Sequence, residues 1–310
     1  MVDLGVRRHV GSWRYQMWVL RQVRFVLARF PDAALVLTEG DKVLPFLWLL
    51  PHQYRRRLTV LVMRVPARGG GRRSRWLFQR LKRLALTVSS RTCRVLVLAP
   101  AMTPSSGYVW RGRAAVPDPV EVTPAAPSSL TFLTPPQGGG GAMWLGVFGA
   151  ISRRKNVVEV VDAMVRAAGP NDAALLLAGQ VSIDYADEVM HAIRRARSRG
   201  YTVVLENRFL SNSELDGAIQ MVDIVVAAYS NDASSGIFGK AVALGTLVVA
   251  AETETLVEAT RSLGDRVMHT GLTPEALTDA LREAIGIAMS RERRPLELAG
   301  PEEFVSALLS

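Results

Sequence analysis

Beyond residue 142, short apolar runs alternate with amphipathic stretches. The runs predict five strands, at Trp144 to Phe148, Ala173 to Ala178, Val203 to Leu205, Ile224 to Ala227 and Leu247 to Ala250. Apolar residues at helical spacing predict helices near residues 154–168, 184–199, 212–221, 237–245 and 273–289. Strands that are apolar throughout and separated by helices are typical of a parallel sheet covered on both faces. This half is therefore predicted to be a doubly wound α/β domain, which binds ligands at the carboxyl ends of its strands.

The first half shows the same alternation in fewer units. A helix from about Trp13 to Arg29 is predicted to place four apolar side chains on one face, those of Val19, Val23, Val26 and Phe30. Three strands are predicted, at Ala34 to Thr38, Leu58 to Met63 and Val95 to Ala99, with helices near residues 42–50 and 74–88. Three parallel strands make a small sheet, so we expect a first domain that is reduced or truncated.

A stretch rich in Pro, Ser, Thr and Gly runs from Pro117 to Gly141 and ends in PPQGGGG. This composition is typical of a connection between domains, and a length of 310 residues favours two domains. We therefore expect two Rossmann-like domains, at residues 1–125 and 143–310, joined by a linker at residues 126–142.

Composition excludes several classes of protein. With 49% hydrophobic residues, the chain can bury a sizeable core and is not a disordered protein. Its single cysteine, Cys93, cannot form an internal disulfide, and Arg7, Arg8 and Arg14 interrupt the apolar stretch that a signal peptide needs. The sequence has no run of about 18 apolar residues that would span a membrane. These features predict a protein of the reducing cytoplasm.

The basic charge belongs to the first half of the chain. Residues 1–140 contain 22 Lys and Arg against 6 Asp and Glu, whereas residues 141–310 contain 16 and 22. The net charges are therefore +16 and −6, and five of the six tryptophans also lie in the first half. Such asymmetry indicates a polyanionic partner, either a membrane surface or a nucleic acid.

The segment RRSRWLFQRLKRLALTV has an apolar stripe that is open to two interpretations. Leu77, Leu81, Leu84 and Val88 fall on one side of its predicted helix and can face the sheet as core. Basic residues interleaved with aromatic ones, such as Trp76 here, also suit docking on an anionic lipid surface. We therefore expect a cytoplasmic protein that associates peripherally with the inner face of the membrane.

Two loops of the second half carry residues suited to binding a diphosphate. Strand Trp144 to Phe148 runs into GAISRRKN, where Arg153, Arg154 and Lys155 lie near a helix start and can reach an anion bound at its N-terminus. After strand Ile224 to Ala227, the small residues of SSGIFGKA open another helix and can expose backbone amides to an anion. Each segment alone also fits a plain structural role, a solvated basic turn or a helix N-cap. In a doubly wound sheet, both loops emerge on the same rim.

The loop after the strand at Val203 to Leu205 carries Arg208, Phe209 and Leu210. These residues can contact a nucleobase, or they can merely connect two elements. No metal site is expected, because the four histidines lack ligand spacing and one cysteine cannot anchor a zinc cluster.

In the first half, the polar residues that follow strands are candidates for binding a ligand. They are Glu39 and Asp41 in TEGD and Arg64 in MRVP. The alternative is that the two acids belong to a turn and a helix start and that Arg64 is surface charge. A GxSxG elbow, a Walker A loop and a GxGxxG fingerprint are absent from the sequence.

Three ordered segments resemble the nucleotide-sugar-binding half of family 4 glycosyltransferases: GAISRRKN, LLLAGQ and NRFLSNSELDGAIQMVDIVVAAYSNDASSGIFGKAVALGTLVV. The resemblance covers about residues 143–290, and FPDAALVLTEGD and AAVPDPV fit the first half of the family more loosely. It implies the GT-B fold of two Rossmann-like domains. It also implies that Lys155 and its basic neighbours grip the donor diphosphate, and that Ser234, Ser235 and Gly236 bind it through backbone amides.

The sequence departs from the family pattern at two positions. Ala150 stands where the family has an arginine, and we expect Arg153 or Arg154 to replace it. Lys240 stands eight residues after Asp232, where the family has a carboxylate for the donor ribose. Lys240 is therefore expected to contact the donor nucleotide in a different way.

The resemblance implies a glycosyltransferase of the hexosyltransferase class that retains the anomeric configuration. It would move a sugar from a nucleotide-diphosphate sugar to a lipid-linked or cell-surface glycan, without a metal and with no cofactor besides the donor. The expected catalytic residues are Lys155, Arg154 and Asp41. The expected donor-binding residues are Gly149, Arg153, Arg154, Lys155, Phe209, Leu210, Ser234, Ser235, Gly236 and Lys240.

Two alternative functions stay open at this point. One is a catalytically inactive GT-B-like binding protein, which the two departures and the short first domain favour. The other is a nucleic-acid-binding protein, which is disfavoured because no nucleic-acid-binding module is evident in the sequence.

Overall fold

The computed structural model describes residues 13–63, 84–100, 102–105, 107–124, 126, 130, 141–230, 235–260 and 263–310, with only the backbone of Glu254 and Thr255. The described chain forms two compact α/β units, each with its own sheet. One unit comprises the residues up to Ala99 together with Ser105–Pro117 and Phe304–Ser310. The other comprises Pro100–Pro104 and Asp118–Glu303. The predicted fold class, two Rossmann-like α/β units, is confirmed.

The first unit has more strands than the sequence predicts. Its described strands are β1 (Leu35–Leu37), β2 (Leu58–Val62), β3 (Arg94–Ala99), β4 (Val109–Trp110) and β5 (Arg113–Pro117), in the order β1-β2-β3-β5-β4. All neighbours pair in parallel except the β4–β5 hairpin. The predicted count of three strands is therefore wrong. Arg111 and Gly112 both have positive φ, the geometry of a two-residue hairpin turn, and an arginine in the first place hides that signal.

The first helix, α1 (Trp13–Arg29), has the predicted bounds but not the predicted buried face. Its buried residues are Leu20, Val23 and Leu27. Phe30 is 53% exposed, so the predicted stripe that ends there is wrong. The helix packs against residues 40–49 and buries the side that carries the leucines. Periodicity alone did not separate the two apolar sides of this helix.

Two other predicted helices of the first unit differ from expectation. The segment 42–50 forms α2 (Gly40–Val43) and a 3-10 turn (Leu44–Leu49), because Pro45 cannot donate a helical hydrogen bond; α3 (His52–Arg55) follows. Of the helix predicted at 74–88, residues 84–89 are described and helical. There Leu84 and Val88 are exposed and Leu86 is buried. The core stripe expected through Leu84 and Val88 is therefore wrong, and residues 64–83 lie outside the described part.

The second unit is built on six parallel strands. They are β6 (Met143–Phe148), β7 (Ala173–Ala178), β8 (Thr202–Glu206), β9 (Ile224–Ala227), β10 (Leu247–Ala251) and β11 (Val267–Thr270). Their order is β11-β10-β9-β6-β7-β8, so the chain builds outward in one direction from β6 and then returns to β9 on its other side. This reversal makes the space beyond the carboxyl ends of β6 and β9 the topological switch point of the sheet, where such folds bind ligands.

Helices cover both faces of this sheet, as its apolar central strands require. The helices are α4 (Val157–Ala167), α5 (Ala186–Arg197), α6 (Asn212–Met221), α7 (Gly236–Ala243), α8 (Glu254–Thr260) and α9 (Pro274–Ser290). The buried residues of α4, α5 and α9 form one core cluster, and those of α6, α7 and α8 form the other. The predicted strands and helices of this half are all present. Strand β11 and helix α8 were not predicted, and β11 is an edge strand that carries His269 and Thr270 among its four residues.

The last helix, α10 (Pro301–Leu309), ends in the first unit. Phe304, Ala307 and Leu308 pack against a cluster on strands β2, β3 and β5. The Arg94 guanidinium donates to the carbonyls of Ala307 and Leu308 at 2.9 and 2.8 Å and so satisfies the end of the helix. Within the described residues, no helix is long and apolar enough to cross a bilayer.

A buried ion pair attaches the start of the second unit to its helices. The carboxylate of Asp216 on α6 is 1% exposed, and one of its oxygens lies 2.6 Å from the Lys240 ammonium on α7. The other oxygen accepts the Thr123 amide at 2.9 Å, and Lys240 also donates to the Glu121 carbonyl at 2.7 Å. The two side chains therefore clamp residues 121–123 onto α6 and α7.

We predict that Lys240→Met destabilises the protein by about 3–5 kcal/mol, because it leaves the Asp216 carboxylate buried without a cation. Chemical unfolding at pH 7 measures this free energy. The matched control is Arg282→Ala, which removes an exposed pair with Asp279 and should cost less than about 1 kcal/mol. Equal losses in the two variants would contradict the clamp.

Candidate functional site

The loops after β6 and β9 are joined residue by residue. The Arg154 carbonyl accepts the Ser230 amide at 2.9 Å, and the Lys155 ammonium lies 3.3 Å from the Tyr229 hydroxyl. The Asn156 side-chain amide donates to the Ala228 carbonyl at 2.6 Å. Residues 154–156 and 228–230 thus run side by side in opposite directions at the switch point of the sheet.

Local backbone conformation sets this pairing. Gly149, at the end of β6, has a φ of +79°, and Asn156 adopts the left-handed conformation with a φ of 49°. Between them Arg153–Lys155 form a 3-10 turn, so α4 begins at Val157 rather than near residue 154 as predicted. Gly179, with a φ of +145°, lets the end of β7 lie close to the end of β6. A Cβ on residue 179 would overlap the Gly149 carbonyl. The cations therefore lie in a separate turn before the helix and not in its first turn.

Lys155 is a buried cation. It is 3% exposed, and its ammonium donates to the Phe148 carbonyl and contacts the Tyr229 hydroxyl. The same ammonium lies 4.5 Å from the centroid of the Tyr229 ring, within the range of a cation–π interaction. Among the described residues it forms no ion pair with a carboxylate, so its positive charge is not neutralised there.

The N-terminus of α7 lies beside this ammonium. Ser235 is its N-cap residue, and the Ser235 hydroxyl lies 3.4 Å from the Tyr229 hydroxyl. The first amides of a helix, here those of Gly236 and Ile237, have no acceptor within the helix and can bind an anion. A Cβ built on Gly149 would lie 3.8 Å from the Lys155 ammonium and 3.9 Å from the Ile237 side chain. The glycine turn, the cation and the helix start therefore border one space.

The structure separates the two arginines that sequence analysis grouped with Lys155. The Arg154 guanidinium lies over the Tyr229 ring at 5.8 Å. The Arg153 guanidinium instead forms a bidentate pair with Glu188 at 2.5 and 2.7 Å and lies over the Tyr185 ring. Of the two arginines, Arg154 therefore lies next to Tyr229, whereas Arg153 is held by Glu188 on α5.

The loop after β8 is firmly braced. Phe209 is 71% exposed, whereas Leu210 packs against the core. Arg208 binds Glu206 at 2.6 Å and Glu214 at 2.8 Å. Ser211 and Glu214 form a reciprocal capping box at the start of α6. These contacts hold the loop that carries the exposed Phe209 ring at the carboxyl edge of the sheet, the edge at which Lys155 also lies.

The remaining predicted site residues lie elsewhere or outside the described part. Lys240 is committed to the ion pair with Asp216, and its contact with a nucleotide stays a prediction. Asp41 belongs to the first unit, where its carboxylate accepts the Met63 amide at 2.8 Å and links the ends of β1 and β2. Glu39 pairs with Lys42. Ser234, Asp232 and Arg64 lie outside the described residues.

Sequence analysis missed Tyr229 and Asn156. Tyr229 ends an apolar run, IVVAAY, and is indistinguishable there from a core residue. Asn156 ends the basic turn, and an asparagine tolerates the left-handed conformation better than most residues, which is the one signal that could have singled it out.

Comparison with known proteins gives relatives by structure only. No family model and no curated protein matches the sequence. The chain is similar to sucrose-phosphate synthase from Thermosynechococcus elongatus, with a TM-score of 0.64 at 13% identity over 98% of this chain and 76% of that one. It is also similar to Anabaena HepE in complex with UDP and glucose, with a TM-score of 0.60 at 16% identity over 96% and 77%.

A third similar structure is an α,α-trehalose-phosphate synthase (UDP-forming) from Burkholderia xenovorans in complex with glucose-6-phosphate. Its TM-score is 0.59 at 13% identity over 96% of this chain and 73% of that one. These neighbours are GT-B glycosyltransferases. At such identities the likeness shows the fold, and the chain has the two Rossmann-like units of GT-B proteins.

We predict that Glu214→Gln removes a pH-dependent part of the stability. Hydrogen bonds from Arg208 and from Ser211 lower the pKa of Glu214 to about 2, below its usual value. A carboxyl with a lowered pKa stabilises the fold above its unfolded pKa and loses that contribution as the pH falls toward 2. The difference in unfolding free energy between parent and variant should therefore be constant above pH 5 and shrink below it. A difference that stays constant below pH 5 would contradict this prediction.

Proposed function

We propose that the chain is a glycosyltransferase that binds a nucleotide-diphosphate sugar at the switch point of its second unit. The observation that carries the proposal is the buried Lys155 ammonium beside the start of α7, which forms no ion pair with a carboxylate among the described residues. A diphosphate needs cations and amide donors at one place, and both are there. The fold and the presence of UDP in the HepE structure support this choice of ligand.

The proposed reaction needs stabilisation of a departing nucleoside diphosphate. As the bond from the anomeric carbon to the phosphate oxygen breaks, negative charge grows on that oxygen. Lys155, Arg154 and the amides at Gly236 and Ile237 are the groups placed to stabilise it, and they do so without a metal. We propose retention of anomeric configuration from the family resemblance stated above.

The remaining proposed contacts are those of the nucleoside and the acceptor. Phe209 and Leu210 are the proposed nucleobase contacts, because Phe209 presents an exposed ring at the end of β8. Asp41 is the proposed acceptor contact, since its carboxylate lies at the carboxyl ends of β1 and β2. In this role it accepts a hydrogen bond from the acceptor hydroxyl that forms the new glycosidic bond.

A lipid-linked acceptor agrees with the outer surface of α1. This helix carries Arg14, Arg21, Arg24 and Arg29 and no acidic residue. Trp13 and Phe25 on the helix are 65% and 66% exposed. Exposed aromatic rings among cations are typical of helices that lie on anionic lipid. We therefore propose that α1 contributes to peripheral membrane association.

The donor site is tested by titrating UDP into the parent and into Lys155→Met, with isothermal calorimetry. Met keeps the buried volume and removes the charge, so we expect UDP binding to weaken by roughly 10- to 100-fold, the size of a lost charged hydrogen bond. Arg282→Ala, an exposed cation of the same unit, should bind UDP like the parent. Equal UDP affinity of Lys155→Met and the parent would refute the site.

The same proteins distinguish the alternative functions. Release of UDP from UDP-glucose in the presence of acceptor lipid supports an enzyme, whereas UDP binding without turnover of any nucleotide sugar indicates an inactive GT-B-like protein. Salt-dependent RNA binding without nucleotide binding would instead indicate a nucleic-acid-binding protein.

The membrane surface is tested by co-sedimentation with vesicles that contain anionic phospholipid. Each cation near such a surface contributes on the order of 1 kcal/mol, so Arg21→Glu with Arg24→Glu should weaken binding at least about tenfold. The control, Arg166→Glu with Arg282→Glu, makes the same charge change in the second unit and should leave vesicle binding unchanged. Equal binding by both double variants would exclude α1 as the contact.

A further inference from the structure

Tyr229 contacts two cations of the candidate site, Lys155 and Arg154. Its side chain is 2% exposed, and its ring lies 4.5 Å from the Lys155 ammonium and 5.8 Å from the Arg154 guanidinium. Its hydroxyl lies 3.3 Å from Lys155 and 3.4 Å from the Ser235 hydroxyl. One buried side chain therefore connects the basic turn after β6 to the N-cap of α7.

The hydrogen bonds of Lys155 and Tyr229 determine which of their donors can bind a ligand. The Lys155 ammonium has three N–H donors, of which the Phe148 carbonyl and the Tyr229 hydroxyl accept two. Among the described residues the third donor has no acceptor, and we assign it to a ligand. The Tyr229 oxygen accepts from Lys155 and from the Ser235 hydroxyl, so its own proton can be donated to a ligand oxygen.

The charge of the group that contacts Lys155 matters as much as the number of its hydrogen bonds. A buried ammonium needs stabilisation, and a carboxylate would supply it but would also cancel the charge. An aromatic face attracts the cation through its quadrupole and carries no net charge. Tyr229 therefore stabilises the buried cation while leaving the positive charge to act on an incoming anion.

We propose that Tyr229 is a positioning residue for the donor diphosphate, acting through Lys155. Its ring holds the ammonium charged in a buried place, and its hydroxyl directs the remaining N–H donor toward the start of α7. This inference rests on the proposed function, since it assigns to Tyr229 a share in binding the same diphosphate. It adds a residue that sequence analysis did not include in the site.

The test compares UDP with uridine, which lacks the diphosphate, by calorimetry on Tyr229→Leu and Tyr229→Phe. Tyr229→Leu removes ring and hydroxyl and should bind UDP at least roughly tenfold more weakly, with uridine affinity unchanged. Tyr229→Phe keeps the ring and should restore most of the affinity, to within about threefold of the parent. Loss of uridine and UDP binding in equal proportion would indicate a purely structural role and overturn the proposal.

A double-mutant cycle tests whether Tyr229 acts through Lys155. If it does, Lys155→Met with Tyr229→Phe binds UDP no more weakly than Lys155→Met alone. If the losses of UDP affinity in the two single variants add up in the double variant, the proposal is overturned. This test does not depend on Tyr229→Leu, so it applies even if that variant does not fold. Tyr201→Phe is the matched control, because the Tyr201 hydroxyl is likewise internal and donates to the Val165 and Ala168 carbonyls, and it should bind UDP like the parent.

The outcomes for the two proposals are distinguishable. If the parent protein binds no nucleoside diphosphate, the proposed function fails and the role of Tyr229 fails with it. If the parent and Tyr229→Leu bind UDP equally, the proposed function stands and only the role of Tyr229 is refuted.

Discussion

The candidate site depends on one interaction, the contact of the Lys155 ammonium with the ring and hydroxyl of Tyr229. A cation at 3% exposure is expensive to bury unless something stabilises it, and here the stabilising partner carries no charge. The neighbouring hydrogen bonds, from Asn156 to Ala228 and from Ser230 to Arg154, hold the two loops in the register that this contact requires. The order of the strands then places the loops at the reversal of the sheet.

At one of the two positions where the sequence departs from the pattern of the family that it resembles, the structure has a buried charge pair. Lys240 stands where a carboxylate is expected, and Asp216 on the neighbouring helix supplies the opposite charge. The pair also holds the Thr123 amide and the Glu121 carbonyl, so it fastens the segment that enters this unit. Lys240 therefore has a structural role through its ion pair with Asp216, independent of any contact with a ligand. Ala150 carries no charge, and two cations of the following turn, Lys155 and Arg154, lie over the Tyr229 ring.

The alternation of apolar strands and amphipathic helices was sufficient to predict the second unit, because a sheet buried on both faces leaves an unambiguous pattern. Strands β7 and β9 and helix α6 have the predicted bounds. The exceptions are informative. The β4–β5 hairpin is short and turns on an arginine, and β11 lies at a sheet edge with polar residues. Helix α1 has two apolar sides, of which the one with the leucines is buried. In each case a tertiary neighbour decides what local periodicity leaves open.

For the site, the sequence alone determined that cations follow β6 and that small residues precede α7, since residue type and order are sufficient for that. It also determined that both loops leave the same rim, because parallel strands share their carboxyl edge. Only the tertiary structure decided that Arg153 turns to Glu188 while Lys155 is buried against Tyr229. It likewise decided that α10 ends in the first unit. These outcomes depend on which side chains from distant parts of the chain become neighbours, and a linear pattern does not contain that information.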